Sequence, residues 1–124
     1  MRTRLLMMTM FVVLLGPARL LLAVDLFVAT NGNDAWSGRL AVPDKEGRDG
    51  PFASLLRARD ELRQLRVAGK LGPGAVVHLR SGTYRLTTAL ALGPEDAGTA
   101  QAPIVWRAYE NERVILTGAL PVSG

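Results

Sequence analysis

Residues 75 to 86 read AVVHLRSGTYRL, and this stretch decides the fold. Apolar Ala75, Val77 and Leu79 alternate with the residues between them, which is the period of a β-strand. The dipeptide Ser81-Gly82 predicts a turn, and residues 83–86 predict a second short strand. Two short strands that meet at a tight turn indicate a protein built mainly from β-structure.

Similar strands recur further along the chain. Residues 104–109 alternate in the same way, residues 114–117 predict another strand, and Leu90 with Leu92 predicts a brief one. The interval from Val77 to Ile104 equals that from Leu79 to Trp106, and the interval from Leu92 to Leu116 is slightly shorter. Strands that return at such similar intervals suggest the coils of a solenoid. The spacing by itself leaves a small antiparallel sandwich open.

One helix is predicted, over residues 54–68. Ser54 is a suitable N-cap and Gly69 a natural stop. One face is apolar, and it consists of Leu55, Ala58, Leu62 and Leu65. On the charged face, Arg57 with Glu61 and Asp60 with Arg63 are predicted as ion pairs at helical spacing. The apolar stripe requires an apolar partner surface.

The segment before this helix predicts a strand and then turns. In residues 25–29 (DLFVA), Leu26 and Val28 share one face. Residues 30–38 (TNGNDAWSG) are rich in turn-forming side chains, and a polar loop continues to Gly50.

The N-terminal segment 1–24 has the features of a signal peptide. Arg2 and Arg4 precede an apolar run over residues 5–15, and a Gly-Pro break leads to small residues. Cleavage after Ala18 or Ala23 is expected, which predicts a secreted or periplasmic protein without a stable membrane span. The alternative is a membrane anchor formed by residues 5–24, although Arg19 interrupts that longer run.

Charge and cysteine content exclude some functions. The predicted mature segment, residues 25–124, holds 12 basic and 11 acidic residues. This balance gives no basic face for nucleic acid, so no nucleic-acid partner is predicted. The sequence has no cysteine, which excludes disulfides.

Acidic residues in the loops are candidates for a metal or catalytic site. Asp34, Asp44 and Asp49 could supply calcium ligands, but their spacing differs from an EF-hand and Asp34 is interpreted as a turn former. Glu95 and Asp96 could be imagined as the acid pair of a glycosidase. Adjacent side chains usually point apart, so a solvated loop is the preferred interpretation.

The remaining candidates also have structural interpretations. His78, the sole histidine, falls on the outward set of its strand and is interpreted as a surface residue. Trp106 falls on the inward set and predicts core packing, whereas Trp36 lies in a loop that it would anchor. Neither Gly32 nor residues 72–74 (GPG) forms a phosphate-binding loop before a helix. We therefore predict no catalytic, cofactor-binding or metal-binding residue and no cofactor.

Four motifs in order resemble secreted bacterial right-handed parallel β-helix proteins of the pectate-lyase-like superfamily. Residues 26–38 (LFVATNGNDAWSG) resemble the opening strand and turn of those proteins. Residues 50–60 resemble the start of their N-terminal capping helix, and residues 77–84 (VHLRSGTY) resemble their first coil. Residues 95–108 resemble the second coil.

This resemblance implies a mainly β fold, the start of a right-handed parallel β-helix with one N-terminal capping α-helix. Residues 25–124 would form the cap and about two coils, so the chain is expected to be truncated before the middle coils, which carry the family's catalytic residues. The implied function is an N-terminal fragment of an exported carbohydrate-active protein, like a glycoside hydrolase or polysaccharide lyase, that is catalytically incompetent by itself. It would meet polysaccharide through further coils. The alternative is a non-catalytic exported carbohydrate-binding or surface module of the same fold.

Overall fold

The computed structural model describes residues 22–86 and 90–118. Of the predicted signal peptide, residues 1–21 lie outside these ranges. In the described part the chain is mainly β, with five strands and one α-helix. In chain order they are β1 (Val24–Val28), α1 (Leu55–Val67), β2 (Ala75–Leu79), β3 (Gly82–Leu86), β4 (Ile104–Ala108) and β5 (Val114–Gly118).

The strands form two parallel sheets. One has the order β1-β2-β4, and the other pairs β3 with β5. In the larger sheet Leu26 pairs with Val77, and Val77 pairs with Trp106. This parallel pairing excludes the antiparallel sandwich that the spacing left open.

The predicted intervals are wrong in detail. Val77 pairs with Trp106 rather than with Ile104, and the partner of Leu116 is Tyr84 rather than Leu92. The interval from one coil to the next is therefore longer than predicted in both sheets. The segment around Leu90 and Leu92 is not a strand, because no neighbouring strand in the described chain pairs with it. The chain there leads instead into a short 3₁₀ turn, Pro94–Asp96.

The core lies between the inner face of the larger sheet, β3 and the helix. Leu26, Val28 and Val77 have no exposed surface, and Tyr84 of β3 is buried beside them. From the helix, Leu55, Ala58 and Leu62 complete the buried cluster, and Leu65 packs partly against it. The predicted stripe is therefore confirmed, and burying it is what stabilises the helix on the sheet.

A loop turns around Phe52, which is fully buried. The backbone of Phe52 pairs with β1, because its N–H donates to Phe27 (2.8 Å) and its carbonyl accepts from Ala29 (2.9 Å). A Cβ at Gly32 would collide with the Phe52 carbonyl, and one at Gly38 would collide with the Phe52 ring. These two glycines therefore allow the loop to close over Phe52.

The helix begins where the sequence predicts. The Ser54 hydroxyl accepts from the N–H of Arg57 (3.1 Å). Asp34 fixes this start from a distance, since its Oδ1 accepts from the N–H groups of Ala53 and Ser54 at 2.8 and 2.9 Å. Asp34 thus accepts backbone hydrogen bonds as expected, but from a later segment of the chain rather than from its own turn.

The Arg57–Glu61 ion pair forms, at 3.1 Å, but the predicted Asp60–Arg63 pair is wrong. Asp60 pairs with Arg59, and Arg63 reaches across to Asp96 (2.6 Å). A buried carboxylate on the 3₁₀ turn competes better for Arg63 than an exposed one on the same helix.

Candidate functional site

The outer face of the larger sheet carries a cluster of polar and aromatic side chains. These are Asp25 and Phe27 of β1, His78 of β2, and Tyr109, which directly follows β4. We refer to these four residues as the His78 cluster. They lie on one face because alternate residues of a strand point to the same side, and because Phe27 and His78 are register partners.

His78 is held by three neighbours. Its ring stacks on Phe27 with centroids 4.8 Å apart, and the Tyr109 ring meets it edge-on at 5.7 Å. Its Nε2 lies 2.9 Å from Oδ1 of Asp25. Because a carboxylate only accepts, Nε2 donates in this contact and Nδ1 of a neutral ring is left as an acceptor.

The prediction that His78 is an exposed surface residue is therefore wrong. Its strand face is as predicted, but the residue is 9% exposed. The reason is that side chains from three separate elements cover it. Neither Phe27 nor Tyr109 was predicted as a partner.

An open cleft of about 400 Å³ adjoins the cluster. We call it the His78 cleft. Its lining is polar and consists of His78, Arg107, Ala108, Tyr109, Glu110 and Asn111. Arg107 is exposed and makes no ion pair within the described residues.

The turn that forms one side of the cleft has an unusual backbone. Glu110 (φ 47°) and Asn111 (φ 63°) both occupy the left-handed region. Asparagine adopts this conformation readily, but a glutamate does so at a cost of about 1–2 kcal/mol. Strain of this kind is enriched at functional sites.

A charged corner fixes Tyr109 in place. Arg80 donates to both carboxylate oxygens of Glu112, at 2.9 and 3.0 Å, and its guanidinium lies 4.7 Å from the centroid of the Tyr109 ring. The hydrogen bond from Arg80 lowers the pKa of Glu112, and the same bond raises the pKa of Arg80. Ser81 adds a backbone N–H to Glu112 at 3.0 Å. These contacts join the corner between β2 and β3, which holds Arg80 and Ser81, to the corner between β4 and β5, which holds Tyr109 and Glu112.

The three candidate calcium ligands are engaged in separate loop contacts. Asp34 binds the helix start, Asp44 accepts from the N–H of Arg48 (2.7 Å), and Asp49 accepts from the N–H of Ser37 (2.8 Å). The hydrogen bond from Ser37 lowers the pKa of Asp49. Within residues 22–86 and 90–118 no three metal-ligating side chains come together.

The adjacent acids Glu95 and Asp96 do not form a solvated pair. Asp96 is buried, and it accepts from Arg63 at 2.8 and 2.6 Å and from the N–H of Gly93 at 2.7 Å. The Arg63 hydrogen bonds lower the pKa of Asp96 to about 2. Glu95 lies 3.6 Å from the same guanidinium. Expecting a solvated loop is wrong for Asp96, because Arg63 brings it against the helix.

Both tryptophans have structural surroundings. Trp106 packs partly against the core, as the inward position predicts. The ring of Trp36 lies against Gly50, at the end of the polar loop, so it holds this loop as expected. Residues 72–74 form the turn before β2, with positive φ at Gly72 and Gly74.

The chain is a relative of carbohydrate-active proteins. No family model matches it. Over 97 residues it is 34% identical to pectate lyase PEL9 of Emericella nidulans, which covers 78% of this chain and 19% of that protein. It is also 32% identical over 93 residues to the uncharacterized protein YwoF of Bacillus subtilis, covering 75% of this chain and 15% of that protein.

A solved structure described as a glycoside hydrolase is similar in fold and sequence. The TM-score is 0.64 and the identity 28%, over 76% of this chain and 15% of that one. The chain therefore spans less than a fifth of the length of each of these relatives. None of the helices in the described residues is long and apolar enough to cross a membrane.

Proposed function

We propose that residues 25–124 form the N-terminal cap and first coils of a right-handed parallel β-helix in an exported carbohydrate-active protein. In this proposal α1 covers the N-terminal end, and polysaccharide is the partner. The observation that carries it is the row of parallel register partners Leu26, Val77 and Trp106 on neighbouring strands. It occurs in a chain of which 78% matches a pectate lyase. A row of this kind supports the stacked coils of a solenoid.

We further propose that the chain is catalytically incompetent by itself. Glycoside hydrolysis needs two carboxyl groups placed on either side of the scissile bond. Asp96 is occupied by Arg63 and Glu95 lies beside the same guanidinium, so these two acids do not offer such an arrangement. Assays of the full chain on pectins, xylans and fucosylated glycans should show no bond cleavage. Turnover that is lost in Asp96→Asn would contradict this proposal.

A chimera tests the placement in a longer protein. The chain would replace the matching region of the Emericella pectate lyase. If both segments build equivalent coils, the chimera should keep lyase activity. A matched control replaces the same region with a flexible Gly/Ser linker and should lose activity. A folded chimera without activity would contradict the proposed role.

A second candidate function is an exported, non-catalytic carbohydrate-binding or surface module of the same fold. The His78 cleft favours it, because a polar cleft beside aromatic rings suits a sugar. Retention of the full chain on insoluble polysaccharide, together with an inactive chimera, would favour this module.

A further inference from the structure

We propose that the His78 cleft binds one neutral sugar unit that presents vicinal hydroxyls. This inference rests on the proposed carbohydrate-related function and adds the site and the chemical class of the ligand. The four polar contributors would be Arg107, Glu110, Asn111 and Nδ1 of His78.

The hydrogen-bonding groups of the cleft match a pair of hydroxyls. Each sugar hydroxyl both donates and accepts, so a site for two of them needs donors and acceptors together. Arg107 supplies only donors, Glu110 only acceptors, and Asn111 supplies both. When the ring is neutral, Nδ1 of His78 adds an acceptor, because Nε2 donates to Asp25.

The charges favour a neutral sugar over a uronate. Arg80 and Glu112 neutralise each other in their bidentate pair. On the lining this leaves one carboxylate, that of Glu110, against the single guanidinium of Arg107, and the Asp25 carboxylate lies beside His78 outside the lining. A sugar carboxylate would therefore meet no net positive charge, and the nearby carboxylates disfavour a further negative charge.

The aromatic wall of the cleft is ordered before any ligand arrives. His78 is fixed between Phe27, Asp25 and Tyr109, and Arg80 holds Tyr109 from the corner. The left-handed backbone at Glu110 and Asn111 directs this turn alongside the cleft. Binding would then order the exposed side chains of Arg107, Glu110 and Asn111 but not this aromatic wall, which limits its entropic cost.

The sole histidine of the chain provides a local probe. The full chain, labelled with ¹³C and ¹⁵N in histidine, would be titrated by NMR with xylohexaose, cellohexaose and trigalacturonate. We expect saturable movement of the His78 ring signals with a neutral hexasaccharide and none with trigalacturonate.

Variants of two lining residues test whether the sugar binds in the His78 cleft. Arg107→Ala should weaken the affinity about tenfold, the loss of one good polar contact. Asn111→Gly keeps a residue that tolerates positive φ and removes the amide, so it should also weaken binding. Arg85→Ala, an exposed arginine on β3 outside the cleft, is the matched control and should bind like the parent. Unchanged affinity in both cleft variants would overturn the assignment.

Failure of this site is distinguishable from failure of the proposed function. If the chain is retained on insoluble polysaccharide while the His78 signals stay fixed, sugar binds elsewhere and the cleft proposal is wrong. Saturable movement with trigalacturonate alone would overturn the neutral class. An active chimera with no His78 response would leave the proposed β-helix role intact and the cleft proposal wrong.

Discussion

Gly38 and Gly47 share a left-handed backbone conformation but differ in what surrounds them. Their φ angles are 73° and 68°, yet a Cβ at Gly47 would meet open space, whereas one at Gly38 would meet the Phe52 ring. Gly47→Ala should therefore cost only the left-handed strain, about 1–2 kcal/mol. Gly38→Ala should cost about 1–3 kcal/mol more, the usual range for overpacking a core. Urea unfolding of both variants measures the difference, and equal losses would contradict the packing of Phe52.

The Arg63–Asp96 contact gives a pH-dependent prediction. The pKa of Asp96 falls from 3.8 to about 2 in the folded chain, mainly through hydrogen bonds from Arg63. A carboxyl group with a lowered pKa stabilises the fold above its unfolded pKa, and this contribution is lost as the pH falls through the folded value. Arg63→Ala should therefore lower the free energy of unfolding at pH 7, and the deficit should shrink between pH 3.8 and about 2.

The control for this prediction is Arg66→Ala, an exposed arginine in the last turn of the helix. Its effect at pH 7 should be smaller and nearly independent of pH. Chemical denaturation at several pH values compares the two variants. A deficit in Arg63→Ala that persists undiminished at pH 2 would mean that Asp96 is not the partner that matters.

At the residue scale, the sequence predicts which face a side chain lies on better than it predicts which residues the side chain contacts. Alternation correctly assigns His78 to the outer face and Trp106 to the inner one. It cannot reveal that Phe27 and Tyr109 cover His78, or that Arg63 finds Asp96, because those partners come from other elements. The register Phe27–His78 is the signal that would have found the cluster, and register requires the pairing to be known.

At the scale of elements, the helix should depend on its apolar stripe. Leu62 is buried in the middle of that stripe, so Leu62→Ala should cost about 2–5 kcal/mol. Gln64 is exposed on the same helix, and Gln64→Ala should change stability by no more than about 0.5 kcal/mol. Thermal or urea unfolding of the two variants tests the packing of the helix on β1. Equal effects would mean that another face is buried.

The elements themselves were largely predictable. The helix starts at its Ser54 cap and ends before Gly69, because both signals act through the local backbone. The bounds of β1 and β5 differ from the predicted ones by a single position at most. The brief strand at Leu90 and Leu92 was wrong, since alternation cannot supply a pairing partner. The repeat length was also wrong, because the corner between β4 and β5 is longer than the corner between β2 and β3, and the interval therefore differs between the two sheets.

At the scale of the whole molecule, the fold limits where the predicted leader would be removed. Val24 is buried, and its N–H donates to the carbonyl of Gly74 at 2.9 Å, whereas Leu22 and Ala23 are exposed. We expect exported protein to begin between Arg19 and Val24, which keeps β1 whole. N-terminal sequencing of exported material provides the measurement. Intact Met1 in a membrane fraction would instead support the anchor formed by residues 5–24.

The outer strands predict self-association. Within the described residues β4 and β5 each have one hydrogen-bonded neighbour, and Leu116, opposite buried Tyr84, is 49% exposed. Free strand edges with apolar side chains are templates for pairing, and the small net charge of residues 25–124 opposes it weakly. Light scattering of the full chain should show association that grows with concentration.

Leu116→Lys should reduce this association, because an inward charge on an edge strand disfavours pairing. Thr117→Lys adds the same charge on the opposite strand face and is the matched control. A parent chain that stays a monodisperse monomer, with a sharp unfolding transition at high temperature, would show that the edges of β4 and β5 do not drive association.

The order of the strands has a consequence for how the chain assembles. β1 leads the other strands in sequence, but its partner β2 follows only after the Phe52 loop and the whole of α1. β2 and β4 are separated by a shorter connection, and shorter loops close faster and with less loss of entropy. A chain emerging vectorially through a translocation pore would therefore expose β1 first and pair it only after β2 has followed. Until then the apolar face of β1 would stay exposed and could be bound by a holding chaperone.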